Sequence, residues 1–196
     1  DLVRKEFESS TVEWTFQAEQ LGTGHALKQA LPNIPKDHQV LILFGDVPLI
    51  TEASLKKLLK AAIKGGIALL TAELSNPEGY GRVLRNGTNE IIEIVEEKDA
   101  TSDQKLIKEI NTGLMVVPGE AIRGWIKKLS TNNQQGEFYL TDIISIAVAE
   151  GVPVFGEIVE NVEEIIGIND RIQLAQAERT LQRRQAQEMM IQGAML

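Results

Sequence analysis

The sequence predicts an α/β domain built on a mixed, mainly parallel sheet. Strand-like and helix-like segments alternate from Thr11 to Val117, the signature of that class. An almost unbroken apolar run, Val40-Leu41-Ile42-Leu43-Phe44, ends in Gly45-Asp46 and then Pro48. That is the pattern of a strand buried on both faces that carries one carboxylate to the rim of a parallel sheet, where open α/β sheets bind ligands. With 196 residues, 43% of them hydrophobic, the chain has enough apolar material for the core of one ordinary domain.

Each element follows from local pattern. Thr11 to Phe16 alternates apolar and polar residues and reads as a strand. Gly22-Thr23-Gly24 opens a helix that Pro32 and Pro35 stop near Leu31. After the strand that leads to Asp46, Thr51 is positioned to cap a helix with Leu55, Leu58, Leu59 and Ala62 at helical spacing, closed by Gly65-Gly66. Ile67 to Leu74 is the next buried strand. Arg82 to Arg85 and Glu90 to Val95 pair as a hairpin across Asn86-Gly87. A short helix over Ser102 to Glu109 leads into a strand over Ile110 to Val117, ended by Pro118-Gly119. Helices over Glu120 to Leu129 and Thr141 to Ala149, a short strand from Val152 to Phe155, and one long polar helix from Asp170 to Ile191 complete the chain. The long helix carries only a thin apolar stripe at Leu174, Ala177 and Leu181.

Composition narrows the function. A formal charge of −8 argues against a nucleic-acid partner, whose phosphates call for clustered cations. The absence of cysteine excludes disulfides and thiolate metal sites and is compatible with a reducing cytosol. The apolar runs are too short to insert in a membrane, and the first residues have no signal-peptide layout. The chain starts at Asp1 rather than methionine, so it is expected to be a piece of something longer.

Several residues could carry chemistry. Asp46 offers a hard carboxylate suited to Mg2+, although spacing alone favours a turn or cap aspartate. Leu21-Gly22-Thr23-Gly24-His25 lets backbone approach a ligand and aims a helix N-terminus at it, an arrangement weak by itself. Leu27 stands where the dinucleotide fingerprint needs its last glycine, which disfavours NAD. Gln17 either reads a nucleobase edge or is a surface amide. Asn111, inside an apolar run, satisfies neighbouring backbone or faces a polar ligand. Asn169 is most simply an N-cap. No serine sits in a nucleophile elbow, and His38 lies in a proline-bounded loop.

In order, the strings Gln17 to Ala26, Gly45-Asp46-Val47-Pro48-Leu49, Gly79-Tyr80-Gly81-Arg82, Val95 to Ala100, Glu109 to Gly113, Tyr139 to Asp142 and Gly167-Ile168-Asn169-Asp170-Arg171 resemble one family. It is the uridyltransferase domain of the bacterial bifunctional N-acetylglucosamine-1-phosphate uridyltransferase and glucosamine-1-phosphate acetyltransferase. The resemblance covers nearly the whole chain and implies a Rossmann-like nucleotide-diphospho-sugar transferase fold. It implies that Gln17, Gly22 and Thr23 contact uridine, with Phe44 and Gly45 beside the nucleotide. Asp46 and Asn169 would bind Mg2+, reversing the order of their readings above. Gly81, Glu96 and Asn111, with Tyr139 and Thr141 nearby, would hold N-acetylglucosamine. The implied reaction is Mg2+-dependent transfer of a uridylyl group from UTP to N-acetylglucosamine 1-phosphate, in the cytoplasm, for cell-wall precursors. A related nucleotidyltransferase with another base or sugar, or a non-catalytic sugar-nucleotide-binding remnant, is the alternative.

The departures define further expectations. Family members open with a glycine-rich signature, Leu-x-x-Gly-x-Gly-Thr-Arg-Met followed by Pro-Lys, which is not found in this sequence. The chain is therefore expected to begin after it, as a partial domain over 1–169 without its first strand and loop, inactive alone. Residues 170–196 would form a linking helix toward an absent left-handed β-helix domain, through which the parent would form a homotrimer. Phe44 stands where relatives often have tyrosine.

Overall fold

The computed structural model describes residues 2–7, 11–63 and 65–195. The elements are α1 (Leu2–Glu6), α2 (Thr23–Ala30), β1 (Gln39–Ile42), α3 (Glu52–Ala62), β2 (Ile67–Glu73), β3 (Arg82–Arg85), β4 (Ile91–Val95), α4 (Ser102–Lys105), β5 (Glu109–Pro118), α5 (Gly119–Trp125), α6 (Ile143–Ala149), β6 (Val154–Ile158) and α7 (Arg171–Ile191). The sheet runs β4-β3-β5-β2-β6, and β1 also pairs with β5.

β2 and β5 form the centre because both of their faces are buried. Ile67 and Leu69 of β2 join Met115 and Val117 of β5 in one core, with Ile122 and Trp125 of α5 and Ile143, Ile144 and Ala147 of α6. Ala68 and Leu70, with Leu114 and Val116, face the other core, where Leu58, Ala61 and Ala62 of α3 cover them. Period-2 alternation thus feeds two apolar layers, giving three layers of secondary structure.

The mixed α/β fold and the long final helix are present, but the sheet is not mainly parallel. Among the described pairings only β2–β6 is parallel; β1–β5, β2–β5, β3–β4 and β3–β5 are antiparallel. Helices on both faces produce continuous apolar runs whichever way the strand travels, so the pattern reported burial and not direction.

Two strand expectations are corrected. β1 ends at Ile42 and is only half-buried, with Leu43 47% exposed; β5 is the single strand alongside it among the described residues. Thr11–Phe16 is not a strand, because alternation gives a ladder only where a partner's backbone is available. On α7 the expected apolar stripe reduces to Ala177, since Leu174 and Leu181 are exposed. The tail residue Leu196 lies outside the described residues. No described helix is long and apolar enough to cross a membrane.

One irregularity shapes the site. The β2–β5 register shifts between Leu69 and Thr71, so that Thr112, Gly113 and Leu114 bulge opposite Leu70. Thr112 Oγ1 donates to Leu70 O at 2.7 Å, Gly113 N donates to Asn111 Oδ1 at 3.1 Å, and Gly113 has φ +83°. The outer edge of β5 is shared by β1 at one end and Arg82 of β3 at the other, and the bulge lies between them.

Candidate active site

The gap on that edge opens into a cleft of about 470 Å³. It brings together eight of the sequence-selected residues: Thr23, Phe44, Asp46, Gly81, Glu96, Asn111, Thr141 and Asn169. Gln17, Gly22, Gly45 and Tyr139 are not among its lining residues.

Asp46 is held by the turn that follows β1, where Val47 N donates to Phe44 O at 3.3 Å. Ile168 N donates to Asp46 O at 2.8 Å, so the segment before α7 is bonded to this turn. Gly167 lies between the two polar side chains: a Cβ there would stand 3.6 Å from Asp46 Oδ2 and 3.9 Å from Asn169 Nδ2. The glycine keeps open a cradle that a methyl would occupy.

The N-cap of α7 is Asp170 and not Asn169. Its Oδ1 accepts from Ile172 N and Gln173 N, each at 2.8 Å. Gln173 Oε1 accepts from Asn169 N at 2.5 Å, leaving the Asn169 amide free of the cap.

The second wall comes from the Gly79–Gly81 turn and the start of β5. Gly81 O accepts from Asn111 N at 2.8 Å. Behind the turn Arg82, 2% exposed, donates to Tyr80 O and pairs with Glu97 at 2.7 Å. Asn111 satisfies neighbouring backbone, its Oδ1 accepting from Gly113 N, and the residue also lines the cleft. Phe44 packs against Gly113, where a Cβ would lie 2.9 Å from ring atom Cδ2.

Glu96 leaves β4 with Oε1 accepting from Thr141 Oγ1 at 2.8 Å. Burial raises its pKa, and the charge of Asp99 adds to the rise against the Thr141 hydrogen bond. Tyr139 turns to a smaller neighbouring hollow and donates to Asp99 Oδ2 at 3.1 Å. Asp142, beside them, is raised to about 6 by burial and by Glu96, Glu93 and Asp99.

The glycine-rich turn before α2 is anchored rather than open. Gly24 N donates to Phe138 O and Phe138 N to Leu21 O, both at 2.8 Å, and Thr23 Oγ1 accepts from Leu140 N at 3.1 Å. Gly22, at φ +103°, presses on Phe138 so closely that a Cβ would meet its carbonyl oxygen at 2.7 Å. Gln17 Nε2 lies 3.3 Å from Gly22 O and 3.0 Å from His25 Nδ1, bracing the turn.

Sequence reasoning did not select Tyr80, Thr112, Gly167 or Gln173, which also line the cleft. Tyr80 and Gly167 lie inside motifs that offered a signal. Gln173 had none, being one glutamine among several on a polar helix. The Tyr80 phenol has its pKa raised by burial and by the charge of Asp46.

No group of three His, Cys, Asp or Glu side chains among the described residues could hold a metal. A carboxylate and an amide on either side of Gly167 fit a hard cation that takes one or two protein oxygens and completes its shell with water and phosphate. A half-turn of the Asn169 amide presents its oxygen to that space.

A three-layer α/β fold with such a cleft on its sheet edge suits nucleotide chemistry, and residues 2–188 match the Nucleotidyl transferase family, to which the chain belongs. Within that family it is 48% identical over 196 residues to the bifunctional protein GlmU of Dechloromonas aromatica (strain RCB), covering 100% of this chain and 43% of that protein. The resemblance carried by the ordered motifs thus holds, and the chain spans less than half the length of this curated relative.

Proposed function

We propose that the protein carrying this chain transfers a uridylyl group from UTP to N-acetylglucosamine 1-phosphate, forming UDP-N-acetylglucosamine and pyrophosphate. The observation that supports this best is the Asp46–Gly167–Asn169 cradle in the same cleft as Gly81, Glu96 and Asn111. A sugar-phosphate oxygen attacks the α-phosphorus of UTP, and the bond from that phosphorus to the pyrophosphate oxygen breaks. Bound at Asp46 and Asn169, Mg2+ would orient the phosphates and neutralise developing charge. The anchored Gly22–Thr23 turn, braced by Gln17, and the Phe44–Gly45 turn would face the nucleotide. Glu96, with Oε1 satisfied by Thr141, has Oε2 toward Gly81 available to accept a sugar hydroxyl. The Asn111 amide would donate to the sugar, and Tyr139 would act from the neighbouring hollow. Cytoplasmic location and trimer assembly through a β-helix domain are further proposals about the whole protein, resting on the same resemblance.

A pyrophosphate-release assay on the intact protein tests the reading. Turnover is expected with UTP and N-acetylglucosamine 1-phosphate, and Asp46→Asn should lower it by roughly 100-fold or more, the scale of losing a key electrostatic group. Preference for dTTP or GTP over UTP would reassign the base, and undiminished metal-dependent turnover in Asp46→Asn would refute the metal assignment.

A further inference from the structure

Glu164 is a buried carboxylate, 7% exposed, that no step above uses. It belongs to the single turn Val162–Ile165 before the Asn169 segment. Its Oε2 accepts from Thr51 N at 3.1 Å, Thr51 Oγ1 at 2.8 Å and Ser54 Oγ at 2.7 Å. It makes no ion pair to a described cation, the charge of Lys57 acting on it only at longer range, so these hydrogen bonds are what hold the carboxylate directly.

Capping alone does not require this arrangement. Thr51 already caps α3 by accepting from Ser54 N at 3.2 Å. The carboxylate arrives from more than a hundred residues away, and what it joins is specific. Thr51 ends the segment that begins at Asp46, and Glu164 begins the segment that ends at Asn169. The Ile168 N to Asp46 O bond joins the same segments near their other ends. The two loops and two links close a ring with the Asp46 and Asn169 side chains at one end and Glu164 at the other.

We infer that Glu164 is a positioning residue that sets the separation of Asp46 and Asn169 by tying together the loops that carry them. The inference rests on the functional reading above, in which these two side chains hold a divalent cation. Two oxygen ligands on separate loops bind a cation more tightly when their spacing is fixed before it arrives, because binding then does not have to order them. Groups behind metal ligands carry such effects, with losses of about 10- to 100-fold in affinity when removed.

The test uses the intact protein with UTP present and Mn2+ as the probe, free Mn2+ being read by electron paramagnetic resonance. Glu164→Ala should weaken Mn2+ binding about tenfold, while the KM for N-acetylglucosamine 1-phosphate changes less than about twofold. Glu164→Gln, which retains an acceptor oxygen, should recover most of the affinity. The double variant Thr51→Val, Ser54→Ala breaks the same tie from α3 and should weaken Mn2+ binding in the same way, so it carries the test if Glu164→Ala does not fold. Mn2+ affinity equal to wild type in these variants, with only a lower Tm, would overturn the inference alone. Wild-type protein that binds no Mn2+ in the presence of UTP, or an Asp46→Asn variant that binds it undiminished, would overturn the functional reading and this inference with it.

Discussion

In the smaller hollow beside the cleft, Glu93, Glu96, Asp99 and Asp142 lie together, and the other three charges combine with burial to raise the Asp142 pKa to about 6. A carboxyl raised above its unfolded value of 3.8 contributes full stability below that value and loses it as pH rises through about 6. Asp142→Asn should therefore stabilise the protein at pH 7.5 by about 1–2 kcal/mol, after discounting the shift for partial exposure. The gain should vanish near pH 4, and urea titrations at both values check it; a gain independent of pH would contradict the assignment. Gly167→Ala makes a second prediction. Its methyl meets Asp46 and Asn169 at ordinary contact distances, so Tm should change little, whereas divalent-dependent turnover should fall about 10- to 100-fold. Asp46 and Asn169 were legible as residues of ordered motifs, and their meeting was legible only through the family resemblance, because they lie 123 positions apart and no local pattern links them. Gln173 was not legible at all, since its role comes from one bond to Asn169 N.

Among the elements, β5 joins fold to site. Its bulge turns Asn111 and Gly113 toward the cleft, and Gly113 combines a left-handed backbone with the Phe44 ring against its α-carbon. Gly113→Ala should cost about 2–5 kcal/mol, from backbone strain of about 1–2 kcal/mol and overpacking of about 1–3 kcal/mol. Denaturant unfolding measures that loss, and an unchanged midpoint would show that the strand can absorb the methyl. The positions of β2, the β3–β4 hairpin and α3 were legible from apolar runs, Asn86-Gly87 and the Thr51 cap. The register shift was hidden because both faces of β5 are buried, so burial does not mark the inserted residues, and Gly113 inside the strand pattern was its one local signal. Strand direction was hidden by the same double coverage. The reading of Thr11–Phe16 as a strand fails differently, since alternation marks a capacity to pair and supplies no partner.

On the scale of the molecule, stability is concentrated in the central layer. β2 and β5 are covered by two cores, whereas α7 buries only Ala177 and reaches the body through side chains such as Arg184, which donates to Leu49 O at 2.7 Å, and Arg183, paired with Glu163. Beyond Arg184 the α7 residues are exposed or only partly covered, with Met189, Met190 and Ile191 all exposed. Amides that open only by global unfolding are protected by the full stability, on the order of 5–15 kcal/mol, while a helix end with few buried contacts frays at far lower cost. Hydrogen exchange followed by mass spectrometry should find β2 and β5 slowest and α7 after Arg184 fastest among the long helices. The first turn of α7 should exchange more slowly than its end, because Asp170 and Gln173 fasten it beside Asn169. Equal protection of the last two turns of α7 and of β5 would show that this helix is packed against a surface other than the described body.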